Sequence, residues 1–213
     1  MKVIGLNGSP RKKFNTATVL RHALEGAESK GAKTEIINLY DYKFQGCISC
    51  FACKLKDNIT GGICAVKDDV TSILVKMAEA DAVIFGSPVY FADVTSSTRA
   101  ILERFMYAPF VYCKDYSSVY EGKMKTACIY TMNVKSKDME NRGYVRTFET
   151  TRSYLERIYG HSEYITVNDT TQFADYSKYI AEAFDPVAKA KARKEVFPQD
   201  CEKAFKLGAS LVD

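Results

Sequence analysis

The stretch that most constrains the fold is a short apolar run near the start of the chain, followed by a loop of small residues and a helical pattern. The run covers residues 2–7, the loop opens with residues 8–11 (GSPR), and residues 15–20 (NTATVL) begin the helical pattern. The first turn of a helix has free N–H groups, and the positive end of the helix dipole lies there. A strand that leads through such a loop into a helix therefore predicts an anion-binding site.

The loop side chains favour a phosphate as that anion. Ser9, Asn15 and Thr16 offer hydrogen bonds, and Arg11 adds a planar charge suited to phosphate. Gly8 is expected to let the backbone turn sharply and approach the ligand. The loop ends in no Gly-Lys-Ser/Thr triplet and contains no G-x-G-x-x-G, so it is neither a P-loop nor a dinucleotide fingerprint. It predicts a site for a terminal phosphate monoester, with an ordinary N-capped turn as the alternative.

Length and composition are typical of one globular domain. The chain has 213 residues, of which 46% are hydrophobic and 26% charged, so one domain over residues 1–213 is expected. The net charge of +4 suits small anionic ligands and gives no reason to expect a nucleic-acid partner. No apolar run reaches the length of a membrane span, and no signal peptide is visible after Met1. We therefore expect a cytoplasmic protein without a membrane partner.

Strand and helix patterns alternate along the whole chain. Strands are predicted at residues 2–7, 33–38, 81–86, 125–132 and 162–167. Helices are predicted at residues 16–30, after an N-cap at Asp68, and at 94–105 and 144–159, with a helical C-terminal tail over 176–211 that is interrupted at Pro186 and Pro198. A Cys-rich excursion covers residues 39–67. This alternation predicts an α/β fold, namely a flavodoxin-like three-layer α/β/α sandwich with five parallel strands in the order 2-1-3-4-5.

In such a sheet the loops at residues 8–16, 87–93 and 131–134 meet at the carboxyl edge, where ligands bind. The second loop (GSPVYF, residues 86–91) combines a Pro-stiffened backbone with two aromatic side chains. It could lie along the edge of a flat heterocycle, although Tyr90 and Phe91 could also serve plain packing. A phosphate site beside a site for a flat ring predicts a mononucleotide ligand, and FMN is the candidate.

Three motifs give the chain a resemblance to a known family. They are residues 8–16 (GSPRKKFNT), the cysteine stretch that ends in Asp68-Asp69, and residues 86–90 (GSPVY). Over roughly its first half the chain resembles the NADPH-dependent FMN reductase branch of the flavodoxin-like proteins. The resemblance implies that the phosphate is held by Ser9, Arg11, Asn15, Thr16 and Ala17. It implies that the isoalloxazine is lined by Pro88, Val89, Tyr90 and Phe91, and approached from the fourth strand by Thr131, Met132 and Asn133.

The same resemblance implies an activity. An enzyme of this kind passes electrons from NAD(P)H through bound FMN to a quinone, a flavin or another small-molecule acceptor. The cofactor carries this chemistry, so no catalytic side chain is expected. A partner subunit often completes the flavin pocket in such proteins. The aromatic segment 107–120 is therefore a candidate interface of a homodimer or higher homo-oligomer.

Four of the seven cysteines crowd into residues 47–64. Cys47, Cys50 and Cys53 are each separated by two residues, and Cys64 follows after ten more. Three thiolates at this spacing can converge on one centre, and a turn at Gly61-Gly62 could return a fourth, which fits a [4Fe–4S] cluster. The stretch resembles the iron–sulfur flavoproteins, which would take electrons from ferredoxin, but their fourth cysteine follows sooner. Zinc, a redox thiol pair and unligated thiols remain alternatives.

Overall fold

The computed structural model describes residues 1–57 and 61–213. Its sheet has five parallel strands, with a sixth, two-residue strand, β4, paired antiparallel to β3. The strands are β1 (Lys2–Asn7), β2 (Lys33–Asn38), β3 (Ala82–Tyr90), β4 (Asp93–Val94), β5 (Met124–Thr131) and β6 (Gly160–Val167). The order of the parallel strands is β2-β1-β3-β5-β6. Without β4 this is the predicted order 2-1-3-4-5, so the flavodoxin-like fold is confirmed.

Six α-helices cover the two faces of the sheet in the described residues. They are α1 (Asn15–Ser29), α2 (Thr71–Ala78), α3 (Ser96–Tyr107), α4 (Tyr144–Tyr159), α5 (Pro186–Glu195) and α6 (Phe197–Ser210). Side chains that alternate along each strand enter two separate cores. One core packs against α2, α3 and α4, and the other against α1 and α6. None of the helices in the described residues has the length and apolar composition needed to cross a membrane.

Asp68 does not cap α2 as expected. Val70 occupies the cap position and α2 begins at Thr71. The Asp68 carboxylate accepts a hydrogen bond from the Val70 N–H at 3.3 Å and forms an ion pair with Arg104. The carboxylate is therefore committed to a long-range contact that the local pattern does not show.

Several other boundaries differ from the prediction by one or two residues, and the third strand and the tail differ more. The third strand continues to Tyr90 and turns back into β4, because Tyr90 pairs with Asp93. The prolines of the tail open helices rather than interrupt one. Pro186 is the first residue of α5, and Pro198 lies in the first turn of α6, where a missing N–H costs no hydrogen bond.

Candidate functional site

The three predicted loops meet in one hollow at the carboxyl edge of the sheet. Ten of the twelve residues predicted to bind FMN line it, and the exceptions are Ala17 and Phe91. The lining consists of Ser9, Arg11, Phe14, Asn15, Thr16, Pro88, Val89, Tyr90, Thr131, Met132, Asn133, Thr170, Thr171 and Gln172. Residues that lie far apart in the sequence are thus brought to a single place.

A buried asparagine sets the shape of the first loop. Asn7, at the end of β1, accepts a hydrogen bond from the Ser9 N–H at 3.1 Å through Oδ1. Its Nδ2 donates to Oδ1 of Asn38 at 2.9 Å, which ties the loop to the end of β2. Ser9 Oγ in turn accepts from the Arg11 N–H at 3.1 Å. The loop is therefore held in shape by its own side chains.

The start of α1 is arranged to receive an anion. The cap residue Phe14 makes no side-chain capping bond, and the first turn contains no acidic residue. The N–H groups of Asn15, Thr16 and Ala17 are first-turn donors that the helix itself does not use. Ala17 is fully buried and its side chain has no polar atom, so only its backbone N–H can serve as a donor. Beside this turn the hydroxyls of Thr16 and Thr131 lie 2.7 Å apart and are almost completely buried.

Gly8 makes a contact that the sequence did not predict. Its φ is not among the positive values, and a Cβ at this position would collide with Oγ1 of Thr98 on α3. The Gly8 N–H donates to the Gly86 carbonyl at 2.7 Å, and the Thr95 hydroxyl donates to the Gly8 carbonyl at 2.8 Å. Gly8 thus allows close contact between the loop and the first turn of α3, and its approach to a ligand stays a prediction.

The segment after β6 closes one side of the hollow and was not predicted. Asn15 Nδ2 donates to the Thr171 carbonyl at 2.7 Å, and Arg11 Nη1 donates to the Gln172 carbonyl at 2.6 Å. Arg193 of α5 donates to Asn15 Oδ1 at 2.8 Å. The signal was present in the sequence, since this segment follows the last parallel strand at the same sheet edge as the other three loops.

A buried lysine lies beside the hollow. Lys189 of α5, whose side chain is 7% exposed, donates to Oδ1 of Asn133 and forms an ion pair with Asp169. Such a charge is retained in a protein interior only when it is paired. A larger cavity of about 650 Å³ adjoins here and shares Val89, Met132 and Asn133 with the hollow.

Phe91 does not enter the hollow. Its side chain is fully exposed, and it forms with Ala92 the two-residue turn between β3 and β4. Both residues have a positive φ, +52° for Phe91 and +66° for Ala92. This is the type I′ hairpin geometry, which normally selects Asn and Gly. Of the two aromatic residues predicted to cover a ring, only Tyr90 lines the hollow.

A second cavity is lined by all four clustered cysteines. Its other lining residues are Ile48, Phe51, Ala65, Val66, Arg104, Tyr107 and Ala108. The cysteines Cys47, Cys50, Cys53 and Cys64 form no disulfide. In the ranges 1–57 and 61–213, no three metal-binding side chains converge closely enough to hold a single ion. Part of the excursion predicted at 39–67, residues 58–60, lies outside the described residues.

Helix α3 holds the cysteine segment in place. The Cys47 N–H donates to Oε2 of Glu103 at 3.1 Å. Lys54 donates to the carbonyls of Tyr107, Ala108 and Phe110 at the C-terminal end of α3, where the helix dipole favours a cation. Burial lowers the pKa of Lys54. Burial likewise raises the pKa of the Cys53 thiol, an effect that the neighbouring Lys54 charge opposes.

Arg104 brings a buried positive charge to this cavity. The residue is 1% exposed. Its Nη1 donates to Asp68 Oδ2 at 2.5 Å and its Nη2 to the Val66 carbonyl at 2.9 Å. Burial lowers the pKa of the guanidinium, but the Asp68 carboxylate and the Cys64 thiol outweigh it and raise that pKa overall. Arg104 Nε has no hydrogen-bond partner among the described residues, and an unmet buried donor costs about 1–3 kcal/mol.

The strand order and the loops that meet at its carboxyl edge define a flavodoxin-like α/β protein. The sequence profile of the family described as NADPH-dependent FMN reductase matches residues 1–132. The chain belongs to this family, as its motifs predict.

Curated relatives carry the name iron–sulfur flavoprotein. One from Methanocaldococcus jannaschii is 44% identical over 104 residues, which are 49% of this chain and 51% of that protein. One from Clostridioides difficile is 30% identical over 152 residues, which are 68% of this chain and 64% of that protein. The chain thus matches about half of the length of the first of these relatives.

Solved structures confirm the fold over the whole chain. An NAD(P)H:quinone oxidoreductase from Methanothermobacter marburgensis superposes with a TM-score of 0.72 at 17% identity, covering 99% of this chain and 98% of that chain. An FMN-dependent NADH-azoreductase from Bacillus anthracis, solved in complex with FMN, gives a TM-score of 0.67 at 14% identity over 100% of both chains. At these identities the likeness concerns the fold alone.

Proposed function

We propose that this protein is an FMN-dependent oxidoreductase that passes electrons from NAD(P)H through bound flavin to a quinone, a flavin or another small acceptor. The observation that carries the proposal is the single hollow into which the loops after β1, β3 and β5 all open. The proposed phosphate site and the proposed flat-ring site then belong to one hollow, as a mononucleotide ligand requires. FMN, when bound, supplies the redox chemistry.

The residues of the hollow divide between the two ends of the cofactor. The first-turn N–H groups of α1 and the hydroxyls of Ser9 and Thr16 hold the phosphate, and Arg11 balances its charge. Residues 88–90 lie along the ring, and residues 131–133 approach it from β5. These polar groups are mostly buried before any ligand binds, so little ordering is needed on binding.

The adjoining cavity of about 650 Å³ is the place where we expect the electron donor to reach the ring. Lys135, Lys137 and Arg142 line it without an ion-pair partner in the described ranges, and they outnumber the two carboxylates of the lining that are also unpaired there, Asp138 and Asp185. Unpaired cations attract the phosphates of a nicotinamide dinucleotide.

The test of this function is a spectrum followed by a reduction. Protein incubated with FMN and then desalted should show flavin absorption bands. Anaerobic NADPH or NADH should bleach these bands within the time of mixing, and a quinone should restore them. Protein that stays colourless after incubation with FMN would falsify the proposal.

A second candidate function is supported by the cysteine cavity. We propose that Cys47, Cys50, Cys53 and Cys64 hold a [4Fe–4S] cluster that receives electrons from ferredoxin. Two observations support it, namely that the four thiols line one cavity and that the buried cation Arg104 lies beside them and offsets thiolate charge. This cavity has a volume of only about 10 Å³, so binding a cluster requires the cysteine segment to move outward. Protein purified anaerobically should contain about four iron and four sulfide per chain. Stoichiometric zinc without sulfide would exclude the cluster.

We also propose that the protein is a homodimer or higher homo-oligomer. Exposed aromatic side chains lie at an apolar cavity of about 500 Å³ next to the cysteines. Tyr154 lines this cavity, and Phe51, Tyr112 and Tyr116 contact the rings of its lining residues Tyr107 and Phe110. Surfaces of this kind mark protein interfaces. Sedimentation of the FMN-loaded protein should give at least twice the chain mass, and a purely monomeric species would contradict the proposal.

A further inference from the structure

Helix α5 buries a charged side chain and leaves apolar ones in solvent. All ten residues of α5 are described, and Lys189 is the only one of them that is buried. Val187 on the same helix is 78% exposed. Taking a lysine out of water costs free energy that an apolar side chain would not, and lysine is rarely buried without partners. The reason for Lys189 therefore lies in the groups that its ammonium contacts.

The ammonium group has two partners at the carboxyl edge of the sheet. It donates to Oδ1 of Asn133, just after β5, and forms an ion pair of 2.5 Å with Asp169, just after β6. The ion pair by itself explains little, because apolar side chains often stabilise such a position as well as buried charges do. The bond to Asn133 is more informative. Asn133 lines both the hollow and the adjoining cavity, whereas Lys189 lines the cavity but not the hollow.

The bond between Lys189 and Asn133 determines which end of the amide remains for a ligand. An ammonium group can only donate, so the amide oxygen must face Lys189 and the Nδ2 group must point away from it. Within residues 1–57 and 61–213, Oδ1 is thus occupied while Nδ2 makes no hydrogen bond. Asn133 therefore offers the hollow a donor and not an acceptor.

The backbone around Asn133 is held in place as well. The Met132 carbonyl accepts from the Thr170 N–H at 3.1 Å. The Val134 carbonyl accepts from the Asp169 N–H at 3.2 Å. With its backbone and its amide oxygen both fixed, the side chain needs little further ordering to bind a ligand.

We propose that Lys189 is a positioning residue of the flavin site, and that it orients Asn133 so that Nδ2 donates a hydrogen bond to the ring. This inference rests on the proposed FMN-dependent function. The acceptors of the ring are its carbonyl oxygens and unprotonated nitrogens, which gain electron density when the ring is reduced. A donor held against one of them favours the reduced form and makes the reduction potential less negative.

The test is a double-mutant cycle on the reduction potential of bound FMN. Wild-type protein, Lys189→Met, Asn133→Ala and the double variant are loaded with FMN and titrated anaerobically with dithionite beside a dye of known potential. We expect each single substitution to make the potential more negative. The shift caused by Lys189→Met should be larger when Asn133 is present than in Asn133→Ala, because the oriented donor is already missing there.

This comparison separates orientation from a direct effect of charge. Any direct effect of the Lys189 charge on the ring is present in both backgrounds and cancels. Equal shifts in the two backgrounds, or no shift in either, would overturn the inference. Lys191→Met, exposed on the same helix beside Glu195, is the matched control and should leave the potential unchanged.

Affinity for riboflavin gives a second readout, since the proposed contact is to the ring. Lys189→Met should weaken riboflavin and FMN by the same factor, and a loss confined to FMN would place the effect at the phosphate and overturn the inference. If Lys189→Met does not fold because Asp169 is left unpaired, Asp169→Gly is added to all four proteins of the cycle. The φ of Asp169 is +53°, so glycine removes the carboxylate there without backbone strain.

The wild-type protein distinguishes a failure of this inference from a failure of the proposed function. Wild-type protein that binds FMN, combined with equal shifts in the two backgrounds, would overturn the role of Lys189 alone. Wild-type protein that binds no FMN would overturn the proposed function and this role together.

Discussion

The hollow at the carboxyl edge of the sheet and the cysteine cavity are built in opposite ways, although one helix supports both. The hollow consists of short loops at the ends of regular strands, and its polar side chains are buried and bonded to one another, as Thr16 is to Thr131. The cysteine cavity consists of an irregular segment that α3 holds from outside through Glu103 and Arg104, and one buried donor has no partner. The polar groups of the hollow are thus already held in place by one another, whereas the cysteine cavity contains the buried charge of Arg104 with one donor that has no partner in the described residues.

The two regions are joined through the length of α3. Thr95 and Thr98, at its first turn, contact the phosphate loop at Gly8. Arg104 lies six residues beyond Thr98, which is about 9 Å along the helix axis. A substitution at one end of α3 can therefore be tested for its effect at the other end. If the two regions are independent, a substitution in one leaves ligand binding in the other unchanged.

The largest expected effect is at the cysteine cavity. Cys50→Ala should abolish iron and sulfide incorporation, because a [4Fe–4S] cluster needs four cysteine ligands. FMN binding should remain, since Cys50 does not line the flavin hollow. Iron and sulfide analysis together with a flavin titration measures both effects. Cys113→Ala is the matched control outside the cavity, and an unchanged iron content in Cys50→Ala would contradict the proposed ligand set.

The next largest expected effect is a loss of FMN affinity at the hollow. Thr16→Val removes a buried hydroxyl that we expect to donate to the phosphate. A hydrogen bond to a charged group contributes about 1.5–3 kcal/mol, so FMN affinity should fall roughly 10- to 100-fold. Fluorescence titration measures the change.

Riboflavin, which lacks the phosphate, tests the reason for that loss. Its affinity should be nearly the same in wild-type protein and in Thr16→Val. Thr18→Val lies on the same helix outside the hollow and should bind FMN normally. Equal losses for FMN and riboflavin would show that Thr16 does not contact the phosphate.

Gly8→Ala tests the contact between the hollow and α3. The added Cβ would collide with Thr98, and overpacking of this kind costs about 1–3 kcal/mol of unfolding free energy. Denaturant unfolding measures the loss, and FMN affinity should fall with it because the loop is displaced. The variant Gly8→Ala/Thr98→Ala, which makes room for the new methyl group, should recover part of the stability. If the double variant regains no stability, the strain lies in the loop backbone and not in the collision with Thr98.

The contrast between the two regions also explains what the sequence could predict. The ends of regular strands can be located from hydrophobic periodicity, and the loops of the hollow follow from the strand order. The role of Asp68 could not be predicted, because its partner Arg104 lies 36 residues away and the local pattern is that of a helix cap. The sequence pattern places Asn7 only in a strand, although its three side-chain hydrogen bonds, to Ser9 and Asn38, shape the loop.

The smallest expected effect is at Phe91, where a prediction about the hollow and the structure disagree. Asn adopts a left-handed backbone more easily than Phe, so Phe91→Asn should raise the free energy of unfolding by about 1 kcal/mol. For a chain of this size that corresponds to roughly 2–4 °C in Tm. FMN affinity should not change, because the Phe91 side chain is fully exposed, whereas Tyr90→Ala should weaken it. A loss of FMN affinity in Phe91→Asn as large as that in Tyr90→Ala would instead show that the turn folds over the ring when flavin binds.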